Sequence, residues 1–122
     1  MLRNTQQRKI ICTVVEETNH PLSPTELLQY TRKILPQIGL STIYRAIREL
    51  LSSGWLRQID IPGNTSRYEK ANKPHHHHFL CRSCNTLSEI ESCPQEIENI
   101  SPEGFLTESH DITLFGLCNK CI

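Results

Sequence analysis

The sequence predicts an α+β fold in two parts, three helices and a β-hairpin over residues 1–72 followed by a small α/β domain over residues 73–122. Three observations lead there. The first half carries helical apolar stripes and then alternating runs around a Pro-Gly turn, while the second half carries two Cys-x-x-Cys pairs. The chain of 122 residues is neutral overall, yet Lys and Arg outnumber Asp and Glu by ten to six in residues 1–72 and are outnumbered three to seven in residues 73–122. A positive half suits a polyanion and a negative half suits cations.

From Gln7 to Thr18, Ile10, Ile11, Val14 and Val15 share one helical face, with Cys12 beside them as core filler. A second helix opens in "SPTELLQYTRKIL". Ser23 caps it, Pro24 takes the first helical position and Glu26 completes a capping box; Leu27, Leu28, Thr31, Ile34 and Leu35 face inward. Pro36 and Gly39 then break the chain. In "LSTIYRAIRELLSSGW" Ser41 is the expected cap and Ile43, Ala46, Ile47, Leu50 and Leu51 the buried face. That leaves Thr42, Tyr44, Arg45, Arg48 and Glu49 outside. Such a face suits the major groove, since Arg grips phosphate or a guanine edge, although a solvated helix face has the same composition.

"WLRQIDI", "PGNT" and "SRYEKA" read as strand, turn, strand. Three short helices followed by a hairpin make a winged helix-turn-helix, and Arg57 and Arg67 on the hairpin stand where a wing meets backbone phosphate. Double-stranded DNA is the partner this half predicts.

In the second half, Cys81-x-x-Cys84 and Cys118-x-x-Cys121 are separated by 33 residues. Each knuckle offers two thiolates, and four thiolates close a tetrahedral structural zinc site, with a redox dithiol pair as the alternative. "HHHHFLC" leads into the first knuckle, far from either end of the chain, where an expression tag would sit. If that run is extended, His75 and His77 point to one side and His76 and His78 to the other, so one strand offers two separate half-sites. A merely solvated histidine cluster is the alternative. Completing ligands come from Glu69, Glu89, Glu91, Glu96, Glu98, His110 and His20. Nitrogen and oxygen donors of this kind suit iron, manganese, zinc or cobalt better than copper(I).

Together "TQQR", "STIYRAIREL", "HHHHFLCRSC" and "GLCNKC" resemble the ferric uptake regulator family of bacterial metal-responsive repressors. The resemblance covers nearly the whole chain. It implies a winged-helix DNA-binding domain, a C-terminal α/β dimerisation domain with structural zinc, and repression of metal-homeostasis genes when iron or zinc is sensed. It further implies structural zinc on Cys81, Cys84, Cys118 and Cys121. A regulatory divalent metal, Zn(II), Fe(II) or Mn(II), would use His20, Glu69, His76, His78 and Glu89, and a second site would use His75, His77, Glu96 and His110. Arg8 would contact the DNA backbone, and Tyr44 and Arg45 would lie on the recognition helix. Cys93 fits no ligand position of that pattern, which leaves it as a buried thiol or as a softer, zinc-favouring ligand. The alternative within the family is a peroxide sensor that oxidises a histidine ligand; relatives of that branch have Asp where this chain has Glu89.

Enzymatic readings find no support. Neither H-E-x-x-H, nor H-x-E with P-C-x-x-C, nor a phosphate-cradling glycine loop occurs. No apolar stretch is long enough for a membrane span and no signal-peptide core follows the first residues, so the expected setting is cytoplasmic, with a DNA operator and a second copy of the chain as partners and no membrane or small organic substrate.

Overall fold

The computed structural model describes residues 4–122, with Glu98 described by its backbone alone. Two compact units divide the chain, Met1–Lys73 and Pro74–Ile122.

The first unit packs α1 (Asn4–Glu17), α2 (Pro24–Thr31) and α3 (Leu40–Ser52) around one core. Ile11, Val14, Val15, Leu22, Leu27, Ile38, Ile43, Ala46, Ile47, Leu50 and Leu56 are all buried in it. Burying each large aliphatic side chain contributes about 1.5–3 kcal/mol, which is why the helical stripes fix the arrangement of such a short segment. The capping box of α2 forms as expected: Ser23 Oγ accepts the Glu26 N–H at 3.2 Å and the Glu26 carboxylate accepts the Ser23 N–H at 2.9 Å.

Two details differ from the sequence reading. Helix α2 stops at Thr31, so Ile34 is 52 % exposed rather than inward. Pro36 disfavours helical geometry at Leu35, and the chain closes beforehand in tight turns from Lys33 to Tyr30 and Ile34 to Thr31. Helix α3 starts two residues early, with Gly39 as its N-cap in place of Ser41, and Ser41 lies inside the first turn.

The hairpin pairs β1 (Leu56–Ile59) with β2 (Arg67–Lys70) in antiparallel register, setting Arg57 opposite Glu69 and Ile59 opposite Arg67. Gly63 takes φ 72° in the connecting turn, a left-handed conformation that glycine adopts at little cost. Leu22, just before α2, exchanges two backbone hydrogen bonds with Tyr68 and so fastens the wing to the helices.

The second unit is a three-stranded sheet in the order β4-β3-β5, from β3 (His77–Cys81), β4 (Leu87–Ile90) and β5 (Thr113–Gly116), with one 3₁₀ turn at Ile97–Ile100. Strands β3 and β4 are antiparallel, and β3 and β5 parallel. Gly116 lies close under Phe79: a Cβ at that position would stand 3.1 Å from the ring, which would have to give by a few tenths of an ångström. Ile100, Phe105, Leu106, Leu114 and Phe115 of this unit are exposed. Among the described residues no helix is long and apolar enough to cross a membrane.

Candidate metal centres and nucleic-acid interface

Parallel pairing of β3 with β5 brings the two cysteine knuckles to one end of the sheet. Cys81 aligns with Gly116, and the Arg82 N–H donates to Gly116 O at 2.8 Å, so the turn after β3 and the turn after β5 lie side by side. Asn85, with φ 61°, closes the first knuckle by donating its N–H to Cys81 O. The four Sγ atoms of Cys81, Cys84, Cys118 and Cys121 lie within 4.8 Å of one another, with Cys84 and Cys118 at 3.9 Å. Sulfurs bound to zinc at about 2.3 Å stand about 3.8 Å apart in a tetrahedron, so these residues fit that ion. Backbone N–H groups of Cys84 and Cys118 hold the Cys81 thiol down to about 6, whereas its hydrogen bond with Cys118 pushes Cys121 up to about 11.

The histidine run sorts by parity. His75 and His77 rings lie 4.5 Å apart by centroid, and His76 and His78 rings 4.8 Å apart. On the odd side His110 joins, with its Nε2 3.1 Å from His75 Nε2, and so does Cys93, whose Sγ lies 3.1 Å from His110 Nε2 and 3.3 Å from His77 Nε2. These four donors cluster within 4.8 Å. Glu96, the carboxylate expected here, is exposed and stands outside the group; Cys93 takes the fourth place. Burial first, and then His75 and His110, push the His77 imidazole below its ordinary value. The side chain of Glu98 lies outside the described residues, and Glu91 is exposed.

On the even side His76 and His78 are both buried, and Glu89 stands directly opposite His78 across β3 and β4, its Oε1 3.8 Å from His76 Nε2. His76 Nδ1 donates to Pro74 O at 2.7 Å; a carbonyl only accepts, so the neutral ring keeps its lone pair at Nε2, the arrangement a metal ligand needs. His20, in the first unit, has the same tautomer through a 2.9 Å bond from Nδ1 to Pro21 O. Glu69, also in the first unit, is buried and pairs with Arg57 at 3.1 Å.

Of the residues expected at DNA, Arg8, Thr42 and Arg45 line one cleft between α1 and α3, and Arg8 is held there by Glu49 at 2.6 Å. Tyr44, Arg45 and Arg48 are exposed on α3, and Arg57 is exposed on the wing. Arg67 differs from the reading. It is 1 % exposed and turned inward, bonded to Asn64 and the Thr65 carbonyl and 3.7 Å from Glu26, because β2 alternates and Arg67 shares the inner face with Glu69. Its guanidinium fastens the wing turn to α2 rather than facing a phosphate.

The description of the Ferric uptake regulator family matches residues 1–115. The chain is 36 % identical to the zinc uptake regulation protein of Mycobacterium tuberculosis, over 98 % of this chain and 95 % of that one. It is 29 % identical to the ferric uptake regulation protein of Campylobacter jejuni, over 98 % and 80 %. Among solved structures, a zinc-bound manganese uptake regulator superposes with a TM-score of 0.83 at 30 % identity, covering 96 % of this chain and 91 % of that one.

Proposed function

The chain belongs to the ferric uptake regulator family, and on that premise we infer that it is a metal-dependent, DNA-binding transcriptional repressor of metal-homeostasis genes, sensing iron or zinc. Structural zinc on Cys81, Cys84, Cys118 and Cys121 contributes to folding, and a second divalent ion regulates. Within the second unit, His76, His78 and Glu89 are the residues that would hold the regulatory ion. The observation that carries this reading is the His76 tautomer: its proton is committed to Pro74 O and its Nε2 lone pair is turned toward the Glu89 side of the strand.

A bound ion would favour the DNA-binding arrangement only as far as these residues held it more tightly in that arrangement; about 1.4 kcal/mol of preference is a tenfold shift. The chain's own residues do the rest. Pro74 O orients His76, strand pairing holds Glu89 opposite His78, and the exposed Tyr44, Arg45 and Arg48 of α3 meet the major groove while Arg8 and Arg57 meet phosphate. Two copies set two recognition helices against a palindromic operator. The exposed Ile100, Phe105, Leu106, Leu114 and Phe115 supply the apolar area a homodimer buries. The site is cytoplasmic and no small organic substrate is involved.

The test is operator binding titrated against Zn(II), Fe(II) and Mn(II), with metal content measured on the same protein. Binding that rises with one ion and collapses with chelator at constant structural zinc supports the reading. Metal-independent binding refutes it.

A further inference from the structure

The odd-histidine cluster has a donor set of its own, and the identity of its fourth member decides which ion it takes. We propose that Cys93, with His75, His77 and His110, forms a tetrahedral site of three nitrogens and one thiolate, selective for Zn(II) over Fe(II) and Mn(II). The proposal rests on the reading that this unit holds an ion beyond its four-cysteine one.

Distances carry the first step. With metal–nitrogen bonds of about 2.05 Å and a metal–sulfur bond of about 2.3 Å, a tetrahedron has nitrogen–nitrogen edges of about 3.3 Å and nitrogen–sulfur edges of about 3.6 Å. The cluster shows 3.1 Å from His75 to His110, 3.3 Å from His77 to Cys93 and 3.1 Å from His110 to Cys93, a cage slightly contracted around the point an ion would fill. All three imidazoles turn Nε2 to that point, and the His75 ring stands at 89° to His77 and 84° to His110, which is convergence rather than stacking.

Chemistry carries the second step. A thiolate is a soft donor, and four protein donors at tetrahedral spacing close the coordination shell. Zn(II), with no geometric preference of its own, accepts such a shell. Mn(II) favours oxygen donors, and Fe(II), though it accepts imidazole, takes up further ligands that this closed four-donor cluster does not supply. The donors also come from three places in the chain: the entry to β3, the residue three beyond β4, and the residue three ahead of β5. An ion there ties together both ends of the segment between Cys93 and His110, which has no strand and carries the exposed Ile100, Phe105 and Leu106.

One ring must adjust. The Ile112 N–H donates to His77 Nδ1 at 3.1 Å, and a neutral ring bound through Nε2 carries its proton on Nδ1, so that amide turns away on loading.

The experiment uses the full chain with zinc retained at the four-cysteine site, titrated with Co(II) as a spectroscopic stand-in for Zn(II). The expected result is the intense visible bands of tetrahedral cobalt together with a near-ultraviolet sulfur-to-cobalt charge-transfer band. Zn(II) bleaches both, whereas equal Mn(II) or Fe(II) leaves them, and the Ile112 amide resonance moves. Cys93→Ser should lose the charge-transfer band and weaken Zn(II) binding at this site by about 100-fold or more while keeping its far-ultraviolet circular dichroism and structural zinc. Should the serine variant fail to fold, Cys93→Asp retains an anionic donor and must still lose the band. Cobalt that binds without a Cys93-dependent band overturns the proposal and leaves the second ion standing. No cobalt uptake beyond the four cysteines refutes the reading beneath it.

Discussion

Glu26 serves two partners in the first unit. Its carboxylate accepts the Ser23 N–H at 2.9 Å to cap α2 and stands 3.7 Å from the buried Arg67 guanidinium of the wing. One side chain therefore couples the start of a helix to the base of the hairpin. Glu26→Ala should lower stability by about 3 kcal/mol, because it removes both half of a capping box and the counter-charge of a buried cation. Glu26→Gln, which keeps the cap, should cost distinctly less. Urea denaturation of both variants measures this, and equal losses would show that the counter-charge alone matters.

Arg45→Ala should weaken operator binding by about 1–3 kcal/mol and relax preference at one base position. Arg67→Met should leave sequence preference alone and act on stability instead, since that guanidinium is turned inward. Binding curves on an operator and on a set of single-base variants separate the two effects. A uniform loss with Arg45→Ala on every sequence would assign it to phosphate.

His76→Ala combined with His78→Ala should abolish the metal stimulation of DNA binding and leave a folded dimer with full structural zinc. Chromatographic size, zinc content and operator affinity with and without added metal make the measurement. Stimulation that persists would take the even-histidine site out of the mechanism.

Cys118→Ser should unfold the second unit, given that a structural zinc site contributes on the order of 10 kcal/mol in small domains. Thermal melts of the variant and of chelator-stripped protein should agree. A stripped sample that melts at the native temperature contradicts the assignment.

Acid should loosen the wing. Hydrogen bonds from Gln58 and then Ser66 hold the Asp60 carboxyl below its ordinary value. Its folded value being depressed, its contribution is present above the ordinary carboxylate range and fades as pH falls through the folded value. Amide shifts of residues 58–66 followed on acidification, with Asp60→Asn as the control that no longer responds, check the sign.

Much of this was legible from residue patterns. The core face of α3, the capping box and the two knuckles follow from spacing alone, and the histidine parity holds even though regular strand begins only at His77. Arg67 was misread because its charge suggested an outward position, although alternation puts it on the same face as Glu69, and that was the available signal. Ile34 was misread because the apolar spacing runs past the point where Pro36 stops the helix. Cys93 was left open between a buried thiol and a softer, zinc-favouring ligand. It belongs to no Cys-x-x-Cys pair, and only the passage of the chain from one edge of the sheet to the other brings it to His77 and His110, a long-range closure that no local period records.

Strand β3 has consequences for how the gene can change length. Because alternate residues face opposite sides of the strand, inserting or deleting a single codon within the run His75–His78 would turn the preceding residues through a half-rotation and exchange the sides on which their imidazoles stand. Adding or removing two codons restores the facing. Tolerance at this tract should therefore follow even and odd counts, a discrete rule quite unlike the gradual tolerance of an ordinary surface loop.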